Sequence, residues 1–331
     1  MKLGVYLDLR NPPGWRQDWS RHYSEALELC QEAERLGADS IWLSEHHLFE
    51  DGYLPQPLTF AAAVAARTSR VRIGTAVLLA ALRDPVTIAE EAAIVDLVSG
   101  GRLELGVGAG YRVPEYQLFG ADIGRRFGTT DERVRQLRRL WAAGELTPPP
   151  AQARVPIWLG YHGPQGARRA GRLGEGLLSL DPALLEPYRA GLAEGGHSAV
   201  SARVSGMVNG FLSDDPDAEW PFVADHLRYQ WDSYFRYMFE GTGRPTPPQV
   251  DPEQWRHRGF RSGATHFLYG TPVDAAATLN TALADSPVEH VFFWASLAGM
   301  PFERTGPKSS SAATGPCSPC ARSSPKRGSC R

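Results

Sequence analysis

Strand-like and helix-like segments alternate from the first residues to the last third of this chain, and that alternation narrows the fold more than any other feature. The strand candidates are Leu3 to Leu9, Ile41 to Leu43, Val71 to Leu79, the alternating Leu103, Leu105 and Val107, Val155 to Leu159, Leu177 to Leu180, Val204 to Leu212 and Val288 to Trp294. Between them lie segments with apolar residues at helical spacing. Tyr23 to Leu36 carries Ala26, Leu27, Cys30, Ala33 and Leu36 on one face and meets Gly37 at its end. Asp84-Pro85 supplies a cap and a first-turn proline to a helix that stops before Gly100-Gly101. Further helices are read over Pro57 to Thr68, Thr129 to Ala143, Ala167 to Leu173 and the aromatic-rich Ala218 to Phe239. Alternation at this density predicts a parallel sheet covered by helices, and eight strands favour closure into an α/β barrel of the (β/α)8, or TIM, type.

The 331 residues suffice for one such barrel. We read it over 1–302, with an insertion or lid loop rich in Gly, Pro and charge over 241–263. Residues 303–331 are Ser, Pro, Gly, Cys and Arg without apolar periodicity, so a low-complexity, disordered tail is expected there. A barrel's last strand is normally followed by a helix, and none can be read. A reading frame altered near Glu303 would produce such a change, and resequencing that shows an unbroken frame would dispose of that expectation. The net charge of −2 offers no basic stripe for nucleic acid, and no apolar run is long enough to span a bilayer. The start, Leu3-Gly4-Val5-Tyr6-Leu7, has no charged lead and no cleavage site, which predicts a cytoplasmic protein.

Chemistry gathers where strands end. Ser44-Glu45-His46-His47 directly follows the second strand, and the C-terminal ends of barrel strands carry the variable loops. An imidazole titrates near neutrality and moves protons either way, so His46 is the first candidate for catalysis, with Glu45 beside it. The competing reading is a histidine that satisfies buried polar groups at the rim. Adjacent residues on an extended chain point to opposite faces, so His46 and His47 diverge, and no third ligand follows at metal spacing; no metal site is assigned. Gly106-Val107-Gly108-Ala109-Gly110 fails as a dinucleotide loop, because Tyr111 stands where the third glycine belongs. Small residues at a strand end suit either close packing at the rim or close approach of a flat ring to the backbone. Gly160-Tyr161-His162-Gly163 opens a helix after the fifth strand, and such an N-terminus can hold an anion; it can also be an ordinary loop. Trp231, Tyr234, Phe235 and Tyr237 share one helix at three- and four-residue spacing, which reads as core packing.

In this order and spacing, Ser44-Glu45-His46-His47, Ile73-Gly74-Thr75-Ala76-Val77, Asp84-Pro85-Val86 with Ala89-Glu90-Glu91, and Leu97-Val98-Ser99-Gly100-Gly101-Arg102-Leu103-Glu104-Leu105-Gly106-Val107-Gly108 resemble the bacterial luciferase-like flavin monooxygenases. The resemblance runs over about residues 1 to 302 and is densest from 38 to 142. It implies a (β/α)8 barrel that binds reduced FMN or the deazaflavin F420, as a homodimer. It places His46 near the reactive edge of the flavin, and Ala76, Val77, Gly106, Gly108 and Tyr111 beside the ring. It assigns the cofactor phosphate to Arg126 and to the loop of Gly160, His162 and Gly163, with Arg125 and Arg112 as substitutes. Many relatives carry arginine where Ala109 stands, and that contact is missing here. The implied activity is a monooxygenase using reduced FMN, supplied by a flavin reductase, and dioxygen to oxidise a small organic substrate. The alternatives are an F420-dependent oxidoreductase transferring hydride, or a flavin-binding partner subunit without catalysis of its own. Cys317 and Cys320 have metal-type spacing but no partner pair.

Overall fold

The computed structural model describes residues 1–260, 266–294 and 296–304. Eight parallel strands close into a ring: β1 (Lys2–Leu7), β2 (Ser40–Leu43), β3 (Arg72–Thr75), β5 (Leu103–Gly108), β6 (Ile157–Leu159), β7 (Gly176–Leu178), β8 (Val204–Val208) and β11 (Val288–Trp294), which returns to β1. β4 (Leu78–Leu79) resumes the line of β3 higher up and pairs with Val107 and Gly108. The expected barrel is therefore the observed one.

The helices that pack around the ring begin and end where local chemistry dictates. α1 (Trp19–Arg35) starts at Asp18, whose side chain accepts from Arg21 N–H, and it buries His22, Ala26, Cys30 and Ala33 at helical spacing. α2 (Pro57–Arg67) follows β2. α3 (Pro85–Ser99) starts at Asp84, which accepts from Val86 and Thr87 N–H, and it stops at Gly100 with φ +67°. α4 (Val113–Leu118) is a short turn after β5, and α5 (Arg126–Ala142), α6 (Gly163–Arg172) and α7 (Leu185–Glu194) continue the outer layer. α8 (Pro216–Phe239), α9 (Pro252–Arg256) and α10 (Pro272–Leu283) precede β11.

The seventh strand is shorter than its sequence suggests. It breaks after Val208, and Gly210–Leu212 becomes β9, which leaves the ring to pair with β10 (Leu268–Gly270). At Asn209 both the backbone N–H and the side-chain amide turn to His266, so the strand cannot continue its ladder. α4, α7 and α10 were not read from the sequence; each opens on a proline within its first turn or behind a short 3-10 turn. The segment 241–260 holds α9, and the remaining residues of the expected insertion, 261–263, lie outside the described residues, as does the tail from 305 on. Among the described residues, β11 is followed only by a single 3-10 turn, Phe302–Arg304.

The ring is filled rather than open. Trp42 stacks on Phe292 at 4.5 Å between centroids, Trp158 meets Trp42 edge-on, and the Trp158 indole N–H donates to the buried Glu104. Aliphatic residues fill the layer between strands and helices. With the interior packed by large rings, a ligand can reach this fold only at the rim.

Candidate active site

All eight strands run the same way, so their C-terminal ends share one mouth, and the residues singled out by sequence lie there. His46 sits three residues beyond β2, buried against the loop that carries Tyr53. Its Nδ1 lies 2.8 Å from Glu115 Oε1 and its Nε2 lies 3.1 Å from the Tyr111 hydroxyl. Burial alone would raise the Glu115 carboxyl, but hydrogen bonds from His46 and the His47 N–H, together with the Arg112 charge, hold it below the usual carboxylate range. An ionised carboxylate only accepts, so His46 Nδ1 donates to it. With a single proton on the ring, held at Nδ1, Nε2 is the acceptor for the Tyr111 hydroxyl. The result is a directed line, Tyr111 to His46 to Glu115, with Tyr111 half-buried at its outer end.

His47 turns the other way, as the alternation of an extended chain requires. Its Nε2 lies 2.9 Å from Glu45 Oε1. Glu45 also accepts from Arg83 and, through Oε2, from the Leu79 N–H at 2.7 Å. Glu45 thus makes its contacts with His47 and with the β4 segment, not with His46.

The small residues of the rim interlock. The Ala76–Val77 peptide is cis. A Cβ on Gly108 would lie 2.4 Å from Val77 Cγ2, and one on Gly160 would lie 2.4 Å from Val77 Cγ1. Gly106 is pressed by strand backbone instead: its Cβ would lie 1.9 Å from the Thr75 carbonyl oxygen. Ala76 donates its N–H to Leu43 O. Hence Val77, Gly108 and Gly160 form one surface, joined to His46 through Tyr111. Beside it, Arg126 opens α5 and lies over the Phe127 ring, which packs edge-on against Tyr161. Arg126 donates to Ile123 O, and its Nε is buried without a partner. His162 is exposed at the start of α6, and Gly163 has φ +71° with open space around it. Arg125 is exposed. Arg112 is buried, donates to His47 O and Glu240, lies over the Phe49 and Tyr237 rings, and keeps its Nε without a partner.

Several site residues escaped the sequence reading. Glu115 is one; the only local sign was Val113-Pro114, which starts a helix and puts an acid in its first turn. Arg10 is another. It is buried against Asp51 at 2.7 Å and donates to Gln230 O and Ser233 of α8. Asp8, at the end of β1, is pushed up to about 6 by burial, although Arg10 and the Trp294 N–H oppose the rise. The aromatic set on α8 divides. Trp231 packs against Trp255 and Trp294 as core, whereas Tyr234 faces the His46 ring at 6.0 Å and Tyr237 faces Phe49 at 4.0 Å.

Residues 1–289 match the luciferase-like monooxygenase family. The chain belongs to that family. Among relatives of this luciferase-like chain, the F420-dependent glucose-6-phosphate dehydrogenase of Amycolatopsis mediterranei is 34% identical over 185 residues, 50% of this chain and 55% of that protein. The oxygenase component of the flavin-dependent trigonelline monooxygenase of Acinetobacter baylyi is 32% identical over 45% of this chain and 46% of its own. The chain thus spans about half the length of these two relatives. Among solved structures, the monooxygenase RslO1 from Streptomyces bottropensis has a TM-score of 0.76 at 24% identity, covering 92% of this chain and 95% of its own. An F420-dependent secondary alcohol dehydrogenase in complex with an F420-acetone adduct has a TM-score of 0.68 at 19% identity, covering 88% and 92%. These structures share the fold. The family holds flavin-dependent monooxygenases and F420-dependent dehydrogenases, and its named members are oxidoreductases.

Proposed function

We propose that this chain is a flavin-dependent monooxygenase that uses reduced FMN and dioxygen to oxidise a small organic substrate, with F420-dependent hydride transfer as the alternative. The observation that carries the reading is the directed line Tyr111, His46, Glu115 beside the Val77, Gly108 and Gly160 surface. The rim fits a flat ring with an anionic tail. At the strand end Val77 packs on Gly108 and on Gly160, so the face offered to a flat ring is the Val77 side chain seated on two glycines. Arg126 Nε is an orphaned buried donor, and α6 offers uncapped N–H groups at Gly163.

When bound, the cofactor supplies the redox chemistry that side chains cannot. The protein's part is to position, to exclude water and to move a proton. His46 Nε2 accepts a proton at the mouth while Nδ1–H stays tied to Glu115, which stabilises the imidazolium that forms. Tyr111 carries the outer end of that line. Val77, Gly108 and Gly160 floor the ring. Arg126, His162 and Gly163 hold the phosphate, and the absence of an arginine at position 109 leaves this set to act alone. Glu45 positions the rim through His47 and Leu79 rather than touching reactants. Residues 1–302 form the catalytic unit.

A flavin reductase delivers the reduced cofactor, and a second copy of the chain covers α3. That helix leaves Val86, Ile94, Leu97 and Val98 exposed beside Glu90, which supports a homodimer. The test is an anaerobic titration of the full-length protein with reduced FMN and with reduced F420, followed by admission of oxygen with substrate. FMN binding with oxygen-dependent product formation is expected. Binding of F420 alone, with oxygen-independent turnover, would move the chain to the alternative. Binding of neither would leave a non-catalytic partner subunit.

A further inference from the structure

The space above His46 is a cage of rings. Phe49 stacks on the imidazole at 5.0 Å, Tyr53 meets it edge-on at 4.8 Å, Tyr111 lies at 5.3 Å and Tyr234 at 6.0 Å. Phe49 and Tyr53 are buried, and the Tyr53 hydroxyl shares a hydrogen bond with Tyr6 at 3.2 Å. Tyr111 is committed to His46 Nε2. Tyr234 differs in kind. It comes from α8 rather than from a strand end, it is half-buried, its hydroxyl shares a hydrogen bond with that of Tyr111, and it sits between His46, Tyr111 and Trp231 at 6.0, 6.0 and 5.6 Å. The place this one ring fills beside His46 is bordered by the rings of Phe49, Tyr53 and Tyr111.

Charge narrows what that place accepts. Of the two guanidiniums bordering it, Arg10 is matched, and Arg112 keeps only its Nε without a partner. Arg10 is held by Asp51, Gln230 O and Ser233, and Arg112 by His47 O and Glu240. A phosphate or carboxylate drawn to Arg10 would have to break its buried pair with Asp51, at a cost that a single new ion pair does not recover, and Arg112 has one N–H to offer. The phenols of Tyr6, Tyr53 and Tyr111, in contrast, are all kept neutral, because burial pushes each well above the ordinary tyrosine range. They serve an oxygen atom as hydrogen-bond partners.

We infer that the Tyr234 ring holds the substrate's place, and that the substrate is an uncharged, planar aromatic molecule bearing a hydroxyl or carbonyl oxygen. The inference rests on the reading of the mouth as a flavin site, since it is His46 that the substrate would meet. The guest ring repeats the contacts Tyr234 makes now, and its oxygen takes up the phenol partners. Because Tyr234 must leave first, the wild-type site binds with only the fraction of molecules in which it has done so.

The test uses the full-length protein, with 2-naphthol and glucose 6-phosphate as probes, read by calorimetry. 2-Naphthol should bind and glucose 6-phosphate should not. Tyr234→Ala should tighten 2-naphthol about ten-fold by removing the resident ring, and Tyr234→Phe, which keeps the ring, should stay within about two-fold of wild type. Unchanged or weaker 2-naphthol binding in Tyr234→Ala would overturn the inference. So would preferential binding of the sugar phosphate to the wild-type protein, a result that stands even if the alanine variant does not fold. Reduced FMN and F420 are titrated in the same samples. A cofactor that binds while 2-naphthol does not sinks the substrate class alone, and 2-naphthol binding without either cofactor sinks the functional reading alone.

Discussion

Two neighbouring histidines, each paired with a buried glutamate, do different work in this molecule. At the mouth, Glu115 holds His46 Nδ1, and Nε2 remains turned toward Tyr111 and the ring cage. On the opposite side of the same loop, Glu45 holds His47 but also Arg83 and the Leu79 N–H, so that carboxylate is committed to the scaffold. The pair chemistry is the same; what differs is the company each keeps: His46 Nε2 meets the Tyr111 hydroxyl, whereas the carboxylate of the second pair is shared with Arg83 and the β4 backbone. A carboxylate and an imidazole in contact therefore do not identify a reactive site.

The largest effect that would sharpen this contrast is on turnover. His46→Ala should slow oxidation by about 10²- to 10⁴-fold while leaving reduced-cofactor binding nearly unchanged, with a loss of stability because the buried Glu115 loses its partner. Steady-state kinetics beside a cofactor titration checks it, and unchanged turnover would remove His46 from its role. The scaffold pair should fail in the other currency. Glu45→Ala leaves Arg83, His47 and the Leu79 N–H without their buried acceptor, so urea unfolding should show a loss of about 3 kcal/mol. A variant as stable as wild type would mean that the second pair is not structural.

A smaller effect probes the line itself. Glu115→Gln keeps an acceptor for His46 Nδ1 but removes the charge that steadies the imidazolium, and kcat should fall about ten-fold with KM little changed. The same residue predicts a pH signature. Its carboxyl titrates lower in the folded protein than in the unfolded chain, so its contribution to stability is fully present above the unfolded value near 4.5 and is lost as pH falls through the lower folded value. Wild type should therefore destabilise more steeply than Glu115→Gln in acid unfolding below about pH 4.5. Parallel acid limbs would contradict the pairing.

Much of the barrel was legible because its signals are local. Asp84-Pro85 and Gly100 delimit α3 by cap chemistry, and the alternation of Leu103, Leu105 and Val107 marks β5 before any tertiary contact is known. The seventh strand was overrun because its apolar pattern continues through Gly210 to Leu212, while the break is caused by Asn209 and His266, which are 57 residues apart. The same distinction governs the site. His46 and Tyr111 could be named because each lies at a strand end. Glu115 could not be tied to His46, because 69 residues separate them and only closure of the ring brings α4 over the loop after β2. Tyr234 follows the same rule. Its helical spacing within α8 is that of core packing, and it belongs to the mouth only because Arg10 and Asp51 hold α8 across the rim through Gln230, Ser233 and Tyr229.

The most direct measurement is the response of the two imidazoles to the cofactor. With nitrogen-15 in the histidine rings of the full-length protein, reduced FMN should shift the His46 resonances, assigned by their loss in His46→Ala, and leave those of His47 where they were. A titration in which His47 responds and His46 does not, or in which bound FMN moves neither, would contradict the assignment of the mouth to His46.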